Sequence, residues 1–121
     1  MPSARAPDRG DLVWLEFSPQ SGHEQAGRRP ALVLSPRPYN QKTGLALCCP
    51  MTNRIKGYPF EVAVPQGLGV QGVVLADQIK SLDWRERRAR RIGPVPASVV
   101  DDVLAKLETL VGRAAPGSHG A

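Results

Sequence analysis

A chain of 121 residues with 41% hydrophobic and 22% charged residues fits one globular domain with a real core. Its 16 Lys and Arg against 11 Asp and Glu leave a formal net charge of +5, which favours polyanionic partners, nucleic acid first. No apolar run reaches the ~18 residues of a membrane helix, and residues 1–8 lack the apolar stretch of a signal peptide, so no membrane association and a cytoplasmic location are expected.

In chain order, residues 1–9 show no periodicity and read as a mobile tail, ahead of a single domain over residues 10–112 and a second tail over 113–121. Asp11–Phe17 predicts a first strand, with Leu12, Trp14 and Glu16 on one face and Val13, Leu15 and Phe17 on the other. Ser18–Arg28 is then a loop, longer than the ~2–5 residues of an ordinary hairpin connection. Arg29–Ser35 predicts the second strand, and Pro36–Gly44, with Pro36, Pro38, Asn40 and Gly44, a turn region. Leu45–Met51 predicts a third strand with Thr52 and Asn53 at its exit, followed by a basic turn over Arg54–Gly57. Tyr58–Val64 predicts the fourth strand, Pro65–Gly72 a glycine-rich loop, and Val73–Trp84 a fifth strand that bends or bulges. Arg87–Ile92 is the sixth. Pro96–Val111 is the one clear helix, because Val100, Val103, Leu104, Leu107, Leu110 and Val111 keep the spacing of a single apolar stripe, with Gly112 as its stop. Short strands in meander order plus one terminal helix imply a mainly β protein: a small, strongly bent sheet or open barrel.

Candidate chemistry concentrates in Gly22-His23-Glu24-Gln25-Ala26-Gly27-Arg28-Arg29-Pro30. A carboxylate, an amide and two guanidinium groups sit between glycines and feed directly into a strand, a common construction for a site. Adjacent Cys48 and Cys49 point to opposite faces of a strand and cannot pair. With no His/Cys/Asp/Glu cluster at ligand spacing, neither a metal nor a cofactor is expected. Trp14 and Trp84 are read as core. The arginines at 85, 87, 88, 90 and 91 form the densest basic run and read equally as facing a polyanion or as a solvated strand face.

Five blocks occur in order: Gly10-Asp11-Leu12-Val13-Trp14, Glu24 to Pro30, Pro50-Met51-Thr52-Asn53, Lys56 to Val62, and Ala76 to Trp84. Together they resemble the MazF/PemK family of toxin endoribonucleases, the mRNA interferases of toxin–antitoxin pairs, over about residues 10–112. The resemblance implies an SH3-like open barrel, a homodimer, and inhibition by an acidic, MazE-like antitoxin. It implies metal-independent cutting of single-stranded RNA by attack of the 2′-OH on its own phosphate. The Tyr39–Gly44 and Lys56–Val62 blocks are most similar to members that cut at short sites containing ACA.

Carried onto this chain, the resemblance implies Arg29 and Thr52 as catalytic residues, with Glu24 as a further candidate. Arg29 presents a planar fork of donors to phosphate oxygens and stays charged, so electrostatic stabilisation is its first expected role. Glu24 is ionised at neutral pH and has the chemistry of a base. Gln25, Arg28, Arg54 and Lys56 are expected RNA contacts, and Gln78 offers donors and acceptors suited to base edges. Phe17 is placed either to stack on an unpaired base or to sit in the core or barrel mouth. His23 is read as a solvated loop residue and left out of the mechanism. The rival classes are a gyrase-poisoning barrel of the CcdB branch and a non-catalytic RNA-binding barrel. The first relies on a tryptophan-bearing helix end, where this chain has Gly117-Ser118-His119-Gly120-Ala121.

Overall fold

The computed structural model describes residues 5–17 and 27–113. Strands β1 (Asp11–Glu16), β2 (Arg28–Val33), β3 (Leu45–Thr52), β4 (Glu61–Ala63), β5 (Val73–Leu75), β6 (Lys80–Asp83) and β7 (Arg90–Pro94) form one antiparallel sheet. Its order is β4-β5-β3-β2-β1-β7, with β6 also pairing β3. Helix α1 (Arg37–Thr43) connects β2 to β3, and α2 (Ala97–Val111) closes the chain order. The sheet is bent and open, the mainly β architecture with a C-terminal helix that the run of short strands and the terminal apolar stripe predict. Among the described residues no helix is long and apolar enough to cross a membrane.

Alternation along the strands divides the apolar residues between two cores. Leu12, Leu32, Cys49, Met51, Val62 and Val74 meet Val99, Val100, Val103 and Leu107 of α2 in the larger core. Val13, Leu15, Ala31, Val33, Ala46, Cys48, Leu82 and Trp84 fill the other. Cys48 and Cys49 therefore face opposite cores, as their adjacency requires, and burial pushes both thiols up to about 12. The α2 stripe is shorter than its periodicity suggests: Leu104, Leu110 and Val111 are exposed, and Val99 joins the core instead.

Several elements differ from the sequence expectation. Residues 36–44 are not merely a turn, because Pro38 lies in the first turn of α1 and Gly44 (φ 77) ends it, so the punctuating residues bracket a short helix. Asn40 anchors that helix from a fully buried position. Its amide donates to the carbonyls of Pro7 (2.8 Å) and Ser35 (2.9 Å), and its Oδ1 accepts the Ser35 hydroxyl (2.6 Å). Residues 5–9, read as tail, lie on the body here: Ala6 is buried, Asp8 accepts the Arg37 N–H (2.8 Å), and the Arg9 Nε donates to the Leu34 carbonyl (2.6 Å).

The fourth strand begins only at Glu61, because Pro59 supplies no N–H and a turn closes from the Glu61 N–H to the Tyr58 carbonyl (3.0 Å). The bend expected within Val73–Trp84 is a 3-10 turn at Ala76–Gln78 that separates β5 from β6 along the same edge of β3, giving seven strands rather than six. The last strand starts at Arg90, and Arg87 and Arg88 belong to the turn before it.

Replacing Asn40 with alanine leaves buried acceptors without donors and is expected to cost about 2–4 kcal/mol. Urea unfolding of Asn40→Ala checks it, against a near-neutral Lys42→Ala at an exposed position of the same helix.

Candidate active site

At one end of the strands a cleft of about 790 Å³ is lined by Trp14, Arg28, Arg29, Pro30, Met51, Thr52, Asn53, Arg54, Gly69, Val70 and Gln71. Strand register explains the grouping. Ala31 pairs with Pro50, so two residues further along each antiparallel strand Arg29 lies across from Thr52. Directly opposed side chains share a face. Thr52 in turn pairs with Val73 of β5, which brings the loop ahead of β5 and its Gln71 to the same rim. Trp14 pairs with Pro30 across β1 and β2 and closes the remaining wall.

The Thr52 Oγ1 accepts the backbone N–H of Arg54 (3.1 Å), which fixes the hydroxyl at the strand exit and leaves its hydrogen to donate elsewhere. Arg28 faces Glu16 at 3.7 Å, a half-exposed pair worth little on its own. Arg29 is exposed at the start of β2, and Arg54 is exposed where the chain leaves β3. The described lining therefore offers guanidinium, hydroxyl and amide donors, with no carboxylate, imidazole or thiol in it. Among the described residues no three His, Cys, Asp or Glu side chains converge as a metal site. Such a lining suits an anion with several acceptor oxygens.

The segment from Asn53 to Phe60 is tied down at three points. The Glu61 carboxylate accepts the N–H groups of Lys56 and Gly57 (both 3.1 Å). The Lys106 ammonium of α2 donates to the Pro59 carbonyl (2.7 Å), and the Tyr58 hydroxyl donates to Asp77 (2.9 Å). That hydrogen bond and the negative charge of Asp77 raise the Tyr58 pKa, so the phenol stays neutral and donating.

The structure thus brings Arg28, Arg29, Thr52 and Arg54 together. Glu24, Gln25 and His23 lie outside the described residues. Lys56 is exposed on the tied segment rather than in the cleft wall, and Gln78 is exposed on the 3-10 turn. Phe17 is half-buried against the second core, with the Lys80 ammonium 5.9 Å from its ring centre, and does not line the cleft. Of the two tryptophans, Trp84 is core and gives its indole N–H to the Asn40 carbonyl (2.8 Å). Trp14, expected as core, instead packs on the larger core with one side and lines the cleft with the other. Sequence reasoning does not single out Asn53 or Gln71. Asn53 adjoins Thr52 and is within reach of that reasoning, whereas Gln71 arrives only through the pairing of β5 with β3.

Nearly the whole chain is similar to known proteins. Residues 8–111 match the family model of the PemK-like, MazF-like toxin of type II toxin–antitoxin systems. The chain is 51% identical over 112 residues to the endoribonuclease toxin MazF of Escherichia coli K12, covering 93% of this chain and 100% of the relative. It is 41% identical over 110 residues to the E. coli K12 endoribonuclease toxin ChpB, covering 86% and 93%. Among solved structures, a crystal form of MazF from Deinococcus radiodurans superposes with a TM-score of 0.81 at 61% identity, over 89% of this chain and 98% of that one. A MazE–MazF crystal structure from the same organism gives a TM-score of 0.83 at 58% identity, over 90% and 99%.

Gly72 sits at φ 123, and a Cβ there would run into the Thr52 carbonyl. Gly72→Ala is therefore expected to displace the Thr52 end of β3, lowering stability by more than about 1–2 kcal/mol. Thermal unfolding should register the loss, and activity measured well below the new midpoint should fall further than the unfolded fraction accounts for.

Proposed function

The chain belongs to the PemK-like, MazF-like toxin family, and from that premise we propose that the cleft cuts single-stranded RNA by in-line attack of a 2′-OH on its own phosphate, without a metal. The chain is an endoribonuclease toxin of a toxin–antitoxin system; the proposal concerns how it cuts and what it meets. The observation that carries it is the placing of Arg29 across from Thr52 at a rim whose described lining is rich in donors.

In this reading the 2′ oxygen forms a bond to phosphorus and the bond to the 5′ oxygen breaks, leaving a 2′,3′-cyclic phosphate and a free 5′-OH. The 2′ proton passes to a base, for which Glu24 has the right chemistry, and a proton must reach the departing 5′ oxygen. Arg29 faces the non-bridging oxygens with a planar donor fork and offsets the charge that builds at phosphorus. The Thr52 hydroxyl adds a donor beside it. A guanidinium pKa above ~12 makes charge stabilisation the better role for Arg29 than proton transfer.

Arg28 and Arg54 hold neighbouring phosphates, with Lys56, Gln25, Phe17 and Gln78 as further RNA contacts. Short ACA-containing sites are the proposed targets, on the likeness of residues 39–44 and 56–62 to family members with that preference. The proposed partner is an acidic antitoxin, supported by the net charge of +5 and by the MazE–MazF assemblies among the structural relatives. The toxin is proposed to act as a homodimer in the cytoplasm.

Arg29→Ala is expected to cost ~10²–10³ in cleavage rate while the protein stays folded, and Arg29→Lys to recover little, since a point charge cannot reproduce the fork. Near-full activity of the alanine variant in a single-turnover assay removes Arg29 from the mechanism.

Cleavage is expected to persist in excess EDTA and to fail on DNA of the same sequence. One deoxynucleotide immediately 5′ of the cut should block that cut alone, because only that sugar carries the attacking oxygen. Mass spectrometry of the ends decides the chemistry. Products with a 5′ phosphate, or cutting at the deoxy position, mean that water attacks instead.

A further inference from the structure

The arginine run before and within β7 has no part in the chemistry above, yet its geometry leads away from the cleft. Trp14 pairs with Pro30 on one side and with Arg90 on the other, so Pro30, Trp14 and Arg90 form one cross-strand row. The first two line the cleft, and the third continues the same face onto β7, two strand spacings or about 10 Å from β2. A second hollow of about 450 Å³, lined by Glu16, Arg28, Arg88, Ala89 and Arg90, shares Arg28 with the cleft. We infer that Arg28, Arg88 and Arg90 form a track that binds RNA phosphates beyond the cleavage site, a deepening that rests on the RNA-cutting reading above.

Arg88 is the sharpest observation. Among the described residues it is the one non-glycine with a positive φ (55°). A residue with a Cβ in the left-handed region costs roughly 1–2 kcal/mol, where glycine is nearly free. The turn that imposes this conformation is firmly built. The Arg87 guanidinium donates to the carbonyls of Glu16 (2.9 Å) and Phe17 (2.8 Å), the Arg88 N–H donates to the Arg85 carbonyl (3.1 Å), and the Ala89 N–H donates to the Trp84 carbonyl (2.9 Å).

Arg87 thus pins the turn to the end of β1, and Arg88 and Arg90 remain exposed beside Arg28. In the described lining three guanidinium groups stand against one carboxylate, that of Glu16, which already faces Arg28 at 3.7 Å. Among the described residues that line it there is no aromatic ring for a base to stack on, so this lining suits the phosphate backbone rather than base identity. Its continuity with the cleft favours RNA over an acidic protein segment.

The test uses Arg88→Gly combined with Arg90→Gln. Arg88→Gly relieves the backbone and should leave the melting temperature equal or higher, which separates binding from folding. Two labelled all-deoxy oligonucleotides serve as probes, one only long enough to fill the cleft and one extended by about ten nucleotides. Each phosphate that is no longer neutralised on a single strand lowers the slope of log K against log salt by about 0.7, so the double variant should lose about 1.4 on the long probe and much less on the short one. With long RNA the KM should rise about tenfold while kcat holds.

An unaltered salt slope, or an equal loss on both probes, overturns the track. So does a variant that loses affinity for polyglutamate and keeps it for the long oligonucleotide, because the surface then serves an acidic protein. Wild-type cleavage of RNA is scored separately, so failure of the cutting reading is told apart from failure of the track.

Discussion

The pairing of β2 with β3 carries the candidate site, because it alone decides that Arg29 and Thr52 look at one another. Both residues sit at strand ends, exposed or nearly so, where local propensity holds little. The register is held further in, where Leu32 is matched to Cys49 and Val33 to Cys48, all buried. Because successive side chains alternate faces, a slip of one residue would bury polar groups in both cores and turn one catalytic candidate away from the other. The apolar interior therefore acts on the rim through the ladder. β3 extends this control to its other edge, where β6 and β5 pair in turn and set Gln71 and Gly72 beside Thr52.

Electrostatics pull against that arrangement. The cleft gathers Arg28, Arg29 and Arg54, with Glu16 facing only the first of them. Like charges held together cost free energy that the folded state recovers from burial elsewhere, and a bound polyanion relieves. A rigid frame is needed to hold them, and the ties from Glu61, Asp77 and Lys106 supply it for the segment between Asn53 and Phe60. The thiols of Cys48 and Cys49 show the opposite condition: both are raised to about 12 by burial, so neither is available as a nucleophile near neutral pH.

The same chain carries basic groups with three different fates. Arg87 and Arg37 act as structural donors to backbone carbonyls, joining the β6–β7 turn to β1 and α1 to residue 6. Arg91 pairs with the buried Asp11 at 3.0 Å. Arg28, Arg29, Arg54, Arg88 and Arg90 instead border the two joined hollows. Net charge sets the class of partner, but only the hydrogen-bond partners separate the arginines that build the fold from those that face a ligand.

Sequence alone determined what local periodicity encodes. Apolar runs placed β1, β2 and β3, alternation divided Cys48 from Cys49, the 3–4 spacing placed α2 around Val100, Val103 and Leu107, and the resemblance of the ordered sequence blocks to a known family singled out Arg29 and Thr52. Signals with two local meanings were not separable. Pro38 and Gly44 punctuate a turn as well as they bracket a short helix, and Tyr58–Phe60 alternates like a strand while forming a turn. Tertiary structure decided which strands neighbour one another, and with that the presence of Trp14 and Gln71 in one cleft and of Arg90 in line with Pro30. Those choices depend on burying two apolar faces at once across long sequence separations, and a period of two along one strand carries no record of its partner.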